Sequence, residues 1–251
     1  MKPLSAEPGA WHHAWLRPQW PAPATVRACV TTRAGGISRG SYDGLNLGLH
    51  VGDAVADVIE NRRRLSQALG CRLAWLDQVH GVQVVEADPA ATLRADASWT
   101  ATPGVACAIM TADCLPLLFC DRAGQRVAAA HAGWRGLANG VLEATVRALG
   151  VPVNDVLVWL GPAIGPAAFE VGEEVREVFV AVQPEASAAF APSGNTGRWL
   201  ADLYALARLR LAAQGITAVY GGGQCTYSDP RFYSYRRNAC TGRFTSLIWL
   251  G

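Results

Sequence analysis

Residues 105–131 read Val-Ala-Cys-Ala-Ile-Met-Thr-Ala-Asp-Cys-Leu-Pro-Leu-Leu-Phe-Cys-Asp-Arg-Ala-Gly-Gln-Arg-Val-Ala-Ala-Ala-His. Three runs stand out: Val105 to Met110, Leu115 to Cys120 and Arg126 to His131. They are predicted to be neighbouring core strands. The first is apolar throughout, which is the pattern of a strand covered on both faces. Asp113 and Pro116 interrupt the apolar stretch, so it is no membrane-spanning helix.

Outward from this centre, strands and helices alternate imperfectly. A first strand is predicted over Val26 to Thr32, with a turn at Gly35-Gly36. Asp53 is placed as the cap of a helix over Ala54 to Leu69. That helix carries Val55, Val58, Leu65 and Leu69 near one face, and Gly70 stops it. Short strands follow at Leu73 to Val79 and Val82 to Ala87. Beyond the centre come a helix over Leu137 to Leu149, a strand over Val156 to Leu160, and helices over Val171 to Val182 and Leu200 to Gln214. The last two flank a loose Pro184 to Gly197 segment. Ile216 to Tyr220 and Ser246 to Leu250 are expected to close the sheet. The fold class is therefore α/β (α+β): mixed sheets with helices outside, rather than a pure Rossmann arrangement. No Gly-x-Gly-x-x-Gly follows a strand and no Walker-type phosphate loop is present. Residues 1–23, with five prolines, read as an irregular lead-in, and residues 24–251 as a single domain.

The bulk numbers agree with a compact enzyme-sized body. The chain has 251 residues, 51% hydrophobic and 17% charged, enough for a sizeable core. A net charge of +2 gives no nucleic-acid footprint and no basic membrane patch. Seven scattered cysteines include no Cys-x-x-Cys pair, which argues for a reducing compartment rather than a disulfide framework. Met1 to Trp20 lacks the apolar segment of a secretory signal. A cytoplasmic location is expected.

Three residues then carry the chemistry: His80 in Asp-Gln-Val-His-Gly, Cys114 in Thr-Ala-Asp-Cys-Leu-Pro, and His131 in Ala-Ala-His-Ala-Gly-Trp-Arg-Gly. Each ends a strand-like run, and a Gly or Pro follows within two residues. Two imidazoles and a thiolate make a three-ligand site for zinc with one coordination position left open, the mark of a catalytic ion. A rival reading drops the metal and takes Cys114 as a nucleophile with His131 as its base. Asp113 is a candidate acid, base or orienting group at the same turn. Arginines supply a second theme: Arg33 and Arg135 beside glycines, and Arg236, Arg237 and Arg243 in Tyr-Arg-Arg-Asn-Ala-Cys-Thr-Gly-Arg. Guanidinium holds phosphate or carboxylate in bidentate fashion and keeps its charge. Asn46 and His50, in Leu-Asn-Leu-Gly-Leu-His-Val-Gly-Asp, are candidate substrate contacts.

The blocks Thr-Thr-Arg-Ala-Gly-Gly-Ile-Ser, Leu-Asn-Leu-Gly-Leu-His-Val-Gly-Asp, Asp-Gln-Val-His-Gly, Thr-Ala-Asp-Cys-Leu-Pro, His-Ala-Gly-Trp-Arg-Gly, Gly-Pro-Ala-Ile-Gly-Pro and Ser-Tyr-Arg-Arg occur in that order. From Val26 to Gly251 the chain resembles the YfiH family, also called the laccase-domain or polyphenol-oxidase family. The resemblance implies one domain of layered αββα architecture, with His80, Cys114 and His131 as zinc ligands. It implies purine nucleoside phosphorylase activity on adenosine, inosine and S-methyl-5′-thioadenosine, together with adenosine deamination. Nucleoside and phosphate would be the partners, and the assembly a monomer or a homodimer. Roles for Arg33 and Arg135 on phosphate, and for Asp113 or the metal centre in proton handling, follow as a chemical allocation. An alternative within the same resemblance is a cytoplasmic amide hydrolase that removes L-Ser from a peptidoglycan nucleotide precursor, UDP-MurNAc-L-Ser. A third is a copper-dependent polyphenol oxidase, since a His/Cys site binds Cu²⁺ more tightly than Zn²⁺. The family's Arg-Arg pair is usually followed by Asp-Gly, whereas this chain has Asn238-Ala239.

Overall fold

The computed structural model describes residues 12–251. The first eleven residues of the expected N-terminal lead-in lie outside the described residues, and 12–23 are irregular apart from a bridge between Leu16 and Val30. Two mixed sheets stack face to face. The smaller has the spatial order Val26–Val30, Phe244–Leu250, Val105–Thr111, Arg72–Ala74; its first three strands run antiparallel and the last is parallel to its neighbour. The larger runs Val219–Gly221, Val156–Leu160, Leu115–Asp121, Val127–Ala132, Ala97–Thr100, Val84–Glu86, antiparallel at the centre and parallel at both rims.

Strand alternation builds the layers. In Leu115–Asp121, Leu118 and Cys120 face the other sheet, where they meet Ile109, Phe244 and Ile248. Leu115, Leu117 and Phe119 face outward onto the helices Val141–Leu149, Glu173–Val182 and Leu203–Ala213. The smaller sheet turns Cys29, Ala106, Ala108, Leu247 and Trp249 toward the helix Val55–Leu69. Covered on both faces, the central strands have no position for a solvated side chain, and every residue of Val105–Thr111, Leu115–Asp121 and Phe244–Leu250 is buried. Register matches size: Leu117, Leu118 and Phe119 lie opposite Ala130, Ala129 and Ala128, so large side chains sit beside small ones. Four layers result, helix, sheet, sheet and helices. Among the described residues no helix is long and apolar enough to cross a membrane.

Several boundaries differ from the sequence reading, each for a local reason. The expected helix over Leu137 to Leu149 is two helices, Trp134–Asn139 and Val141–Leu149, divided at Gly140 with φ 98°. Val171 belongs to a strand, Glu170–Gly172, paired with Arg198–Ala201, and the helix begins at Glu173. Asp202, whose carboxylate accepts the N–H groups of Tyr204 and Ala205, moves the start of the next helix to Leu203. The loose Pro184 to Gly197 segment contains a 3₁₀ turn and the strand Phe190–Pro192. Leu73 to Val79 breaks into Arg72–Ala74 and Leu76–Asp77, which join different sheets. The strand Ala97–Thr100 was not anticipated, and Phe244–Leu250 sits inside its sheet rather than closing it. Val55 is exposed; the buried stripe of its helix is Val58, Asn61, Leu65, Ala68 and Leu69. Asp53 lies one position ahead of the N-cap residue Ala54. Its carboxylate accepts from the Ala54 N–H, and also from Ser38 and Asn46 of the preceding loop.

Candidate metal centre and active-site cavity

His80, Cys114 and His131 come from three separate stretches and meet where the two sheets open. Their ligand atoms all lie within 4.8 Å of one another. His80 Nε2 stands 3.8 Å from Cys114 Sγ, and the two imidazole rings pack edge-on with centroids 4.7 Å apart.

Two of the three side chains are held by unusual pieces of backbone, and His131 by the regular strand Val127–Ala132. His80 and Asp113 are the two non-glycine residues with positive φ among the described residues, at 60° and 100°. Left-handed backbone is disfavoured for both residue types, so it persists only where surrounding bonds fix it. At His80 the fixing group is Asp96. Its carboxylate, fully buried, accepts the N–H groups of Val79 (3.2 Å), His80 (2.9 Å) and Gly81 (2.6 Å). It also contacts His131 Nδ1 at 2.8 Å. Gln78 anchors the start of the same loop: its side-chain amide pairs with both the N–H and the carbonyl of Met110 at 2.9 Å, as a strand neighbour would. At Asp113, Oδ1 accepts from the Thr226 hydroxyl and Oδ2 from the Arg236 N–H, both at 2.7 Å, while its carbonyl accepts from Ile164 N–H at 2.9 Å. The tight turn delivers Cys114 to the cluster. Gly133 forms the wall behind it. A Cβ there would stand 2.8 Å from His80 Cδ2 and 3.0 Å from Cys114 Sγ, so only glycine lets the backbone pass.

Electrostatics couples the three residues. Burial opposes charge on Cys114, but the His131 imidazole and hydrogen bonds from both rings outweigh it and hold the thiol low. Burial likewise opposes charge on His131, and the sulfur and Asp96 outweigh it and push the imidazole up. Asp96 is itself held below the usual carboxylate range: burial raises it, but His131 and the loop N–H groups prevail.

The donor set fits a divalent metal ion. One thiolate and two imidazoles suit a borderline-soft cation. A tetrahedral ion with these donors requires a sulfur-to-nitrogen separation of about 3.6 Å, close to the 3.8 Å observed. The His131–Asp96 contact is the carboxylate–histidine arrangement found behind metal-bound imidazoles.

The cluster forms one wall of a cavity of about 310 Å³. Met110, Ile164 and Phe169 supply apolar surface, Tyr235 stands exposed at the mouth, and His50, Arg236 and Arg243 add polar and cationic groups. Arg243 is placed by Asn46, whose Oδ1 accepts the Arg243 backbone N–H at 2.9 Å. Burial holds the Arg243 guanidinium below its ordinary pKa. His50 is also lowered, by burial first and then by the charges of Arg243 and Arg62, which favours the neutral imidazole.

Of the other sequence candidates, Arg33, Arg135, Arg237 and Asn46 stand outside the cavity lining. Arg33 lies over the Tyr233 ring, 5.0 Å from its centroid, and donates to the Asp43 carbonyl. Arg135 is exposed and stacks on Trp134. Arg237 donates to the carbonyls of Thr226, Tyr227 and Phe232, holding the loop on which Arg236 rides. Asn46 is fully buried and holds the Arg243 backbone through its Oδ1. Arg236 lines the cavity, with its guanidinium spanning the carbonyls of Ala168 and Glu170. Asn238, where the resemblance led to an expectation of Asp, accepts the Cys240 N–H through Oδ1, a bond that an aspartate would equally accept. Sequence reasoning missed Asp96 and Gln78 altogether. A lone acid among alanines at Ala95-Asp-Ala97 was the only signal for the first.

Comparison with known proteins decides the family. Residues 27–251 match the family model described as multi-copper polyphenol oxidoreductase laccase. A protein of Pseudomonas aeruginosa named purine nucleoside phosphorylase is 70% identical over 95% of this chain and 99% of its own length. The Escherichia coli protein named purine nucleoside phosphorylase YfiH is 56% identical over 93% and 97%. The chain belongs to the YfiH family. Solved structures give the same fold: a Neisseria meningitidis protein superposes with a TM-score of 0.91 at 52% identity, covering 94% of this chain and 99% of that one. YlmD of Geobacillus stearothermophilus gives 0.86 at 33% identity, covering 94% and 96%. YfiH relatives thus share the layered α/β architecture that brings His80, Cys114 and His131 together here.

Proposed function

We propose that this chain is a metal-dependent purine nucleoside phosphorylase acting on adenosine, inosine and S-methyl-5′-thioadenosine, with adenosine deamination as a second activity. One observation carries the reading: three metal-competent side chains form the wall of a nucleoside-sized cavity that also presents Arg243 and His50. The names of the P. aeruginosa and E. coli relatives support it. A divalent ion, zinc in this proposal, would be held by His80, Cys114 and His131 and would supply Lewis acidity beside the substrate. The seven cysteines are all free thiols, which suits a reducing, cytoplasmic setting.

The chain's own groups divide the remaining work. Met110, Ile164 and Phe169 take the purine face, and Tyr235 covers it at the mouth. Arg243 donates through Nη1 to the carbonyls of Thr241 and Gly242, and its remaining nitrogens take the incoming phosphate. This reassigns the phosphate contact from Arg33 and Arg135. In phosphorolysis the C1′–N9 bond breaks as a phosphate oxygen bonds to C1′, and the departing purine takes up a proton. Neutral His50 has an acceptor on one ring nitrogen and a donor on the other, so it passes that proton from dihydrogen phosphate to the purine. Asp113 has both carboxylate oxygens occupied and acts as a tie for the Cys114 turn. In deamination water replaces the amino group at C6 and ammonia leaves.

A second reading has its own observation. Cys114, His131 and Asp96 follow one another as thiol, imidazole and carboxylate, the order of a nucleophile–base–orienter relay. It favours the amide hydrolase acting on UDP-MurNAc-L-Ser. Chromatography of adenosine incubated with zinc-loaded protein separates the two. Adenine formed only with phosphate supports the phosphorylase. No product in either condition, with chelator-resistant release of L-Ser from the precursor, rejects it for the hydrolase.

A further inference from the structure

We propose that Asp96 is the positioning residue of the metal centre, fixing both imidazole ligands through two different devices. The inference rests on reading the His80–Cys114–His131 cluster as a metal site.

Sheet register puts the residue in place. Ala97 pairs with Ala130, so Asp96 falls beside His131, and the His131 N–H donates to the Asp96 carbonyl at 2.7 Å. The Asp96 N–H is in turn given to the Gln83 carbonyl, which ties the residue to the far side of the His80 loop. With its backbone held between two strands, the carboxylate has no freedom to turn away.

The first device acts on His131. An ionised carboxylate only accepts hydrogen bonds, so the contact of Oδ1 with His131 Nδ1 requires the proton to sit on Nδ1. Nε2 is then left as the lone-pair donor toward Cys114 and His80. The second device acts on His80. Three consecutive N–H groups, of Val79, His80 and Gly81, converge on the same carboxylate. Such convergence requires the left-handed backbone observed at His80, and that conformation turns the His80 ring toward Cys114. One side chain therefore sets the tautomer of one ligand and the direction of another. Asparagine at 96 is nearly isosteric but offers a single acceptor oxygen. Its NH₂ end would face donors either at His131 or at the loop, so one device must fail.

The experiment measures zinc affinity by chelator competition and the Co²⁺ absorption spectrum for wild type, Asp96→Asn and Asp96→Glu, with the metal-free melting temperature of each. Asp96→Asn is expected to bind zinc about 10–100-fold more weakly per folded molecule, with altered Co²⁺ bands, and Asp96→Glu to recover part of the loss. A lowered metal-free melting temperature with zinc affinity within about twofold of wild type would show a structural staple only and overturn the proposal. If neither variant folds, long-range ¹H–¹⁵N spectra of zinc-loaded wild type decide. A proton on His131 Nδ1 supports the proposal and one on Nε2 overturns it. Wild type that binds neither ion overturns the metal reading and this role together. Wild type and variants that bind alike overturn this role alone.

Discussion

Gly133 marks how closely the main chain is drawn around the cluster. Its φ of −62° is open to any residue, so space alone demands glycine there. Gly133→Ala is expected to cost about 1–3 kcal/mol by overpacking and to weaken zinc binding, read from urea unfolding with and without the ion. Arg243→Ala should raise the Michaelis constant for phosphate while Arg33→Ala leaves it near wild type. Steady-state kinetics across phosphate concentrations check this, and the opposite ranking would restore the first allocation. At this scale the convergence of His80, Cys114 and His131 was legible because each ends a strand-like run with a glycine or proline just beyond it. Arg33 and Arg135 carry the same glycine signature but face other surfaces, since a turn motif does not encode the direction in which its side chain leaves. Asp96 was illegible for a different reason. Its partners lie between 15 and 35 residues away and include three backbone N–H groups, which no residue type announces.

The helix Val55–Leu69 owes its docking to a polar residue in its apolar stripe. Asn61, fully buried, accepts the Ile37 N–H and donates to the Ser38 hydroxyl and to the carbonyls of Gly44 and Asn46. It thereby pins the loop that carries Asn46 and His50 onto the helix. Asn61→Ala leaves several buried groups unpaired and is expected to cost about 1–3 kcal/mol or more, seen as a lower urea midpoint. It should also raise the Michaelis constants by loosening His50 and Arg243. Periodicity found the stripe but read Val55 into it, because apolar character alone does not say where a helix's first turn clears the sheet. The central strands were legible as the strand-like runs Val105 to Met110, Leu115 to Cys120 and Arg126 to His131, each within one residue of its observed bounds. The break at Gly140 was not, because the residues on both sides of it keep a helical apolar pattern, and only the positive φ divides them.

Across the whole molecule, the two sheets and their covering helices form a frame whose open edge holds the metal-competent cluster. Its three ligands leave Leu76–Asp77, the turn after Val105–Thr111, and Val127–Ala132. An ion held by all three would tie these separate stretches together and stabilise the folded state by mass action. Chelation is therefore expected to lower the melting temperature and zinc to restore it, while Cys114→Ser should show neither response. Affinity should fall as pH drops, because protons compete for the thiolate and the imidazoles. Mixed sheets with helices outside were legible from alternating element types, and the αββα layering only from the family resemblance. Which strands share a sheet was not, because Leu76–Asp77 and Arg72–Ala74 are adjacent in sequence yet join different sheets. The most direct test is anomalous X-ray diffraction at the zinc edge from crystals of zinc-loaded protein. The account predicts one strong peak within bonding distance of His80 Nε2, Cys114 Sγ and His131 Nε2. A zinc peak elsewhere, or none at these atoms, would contradict it.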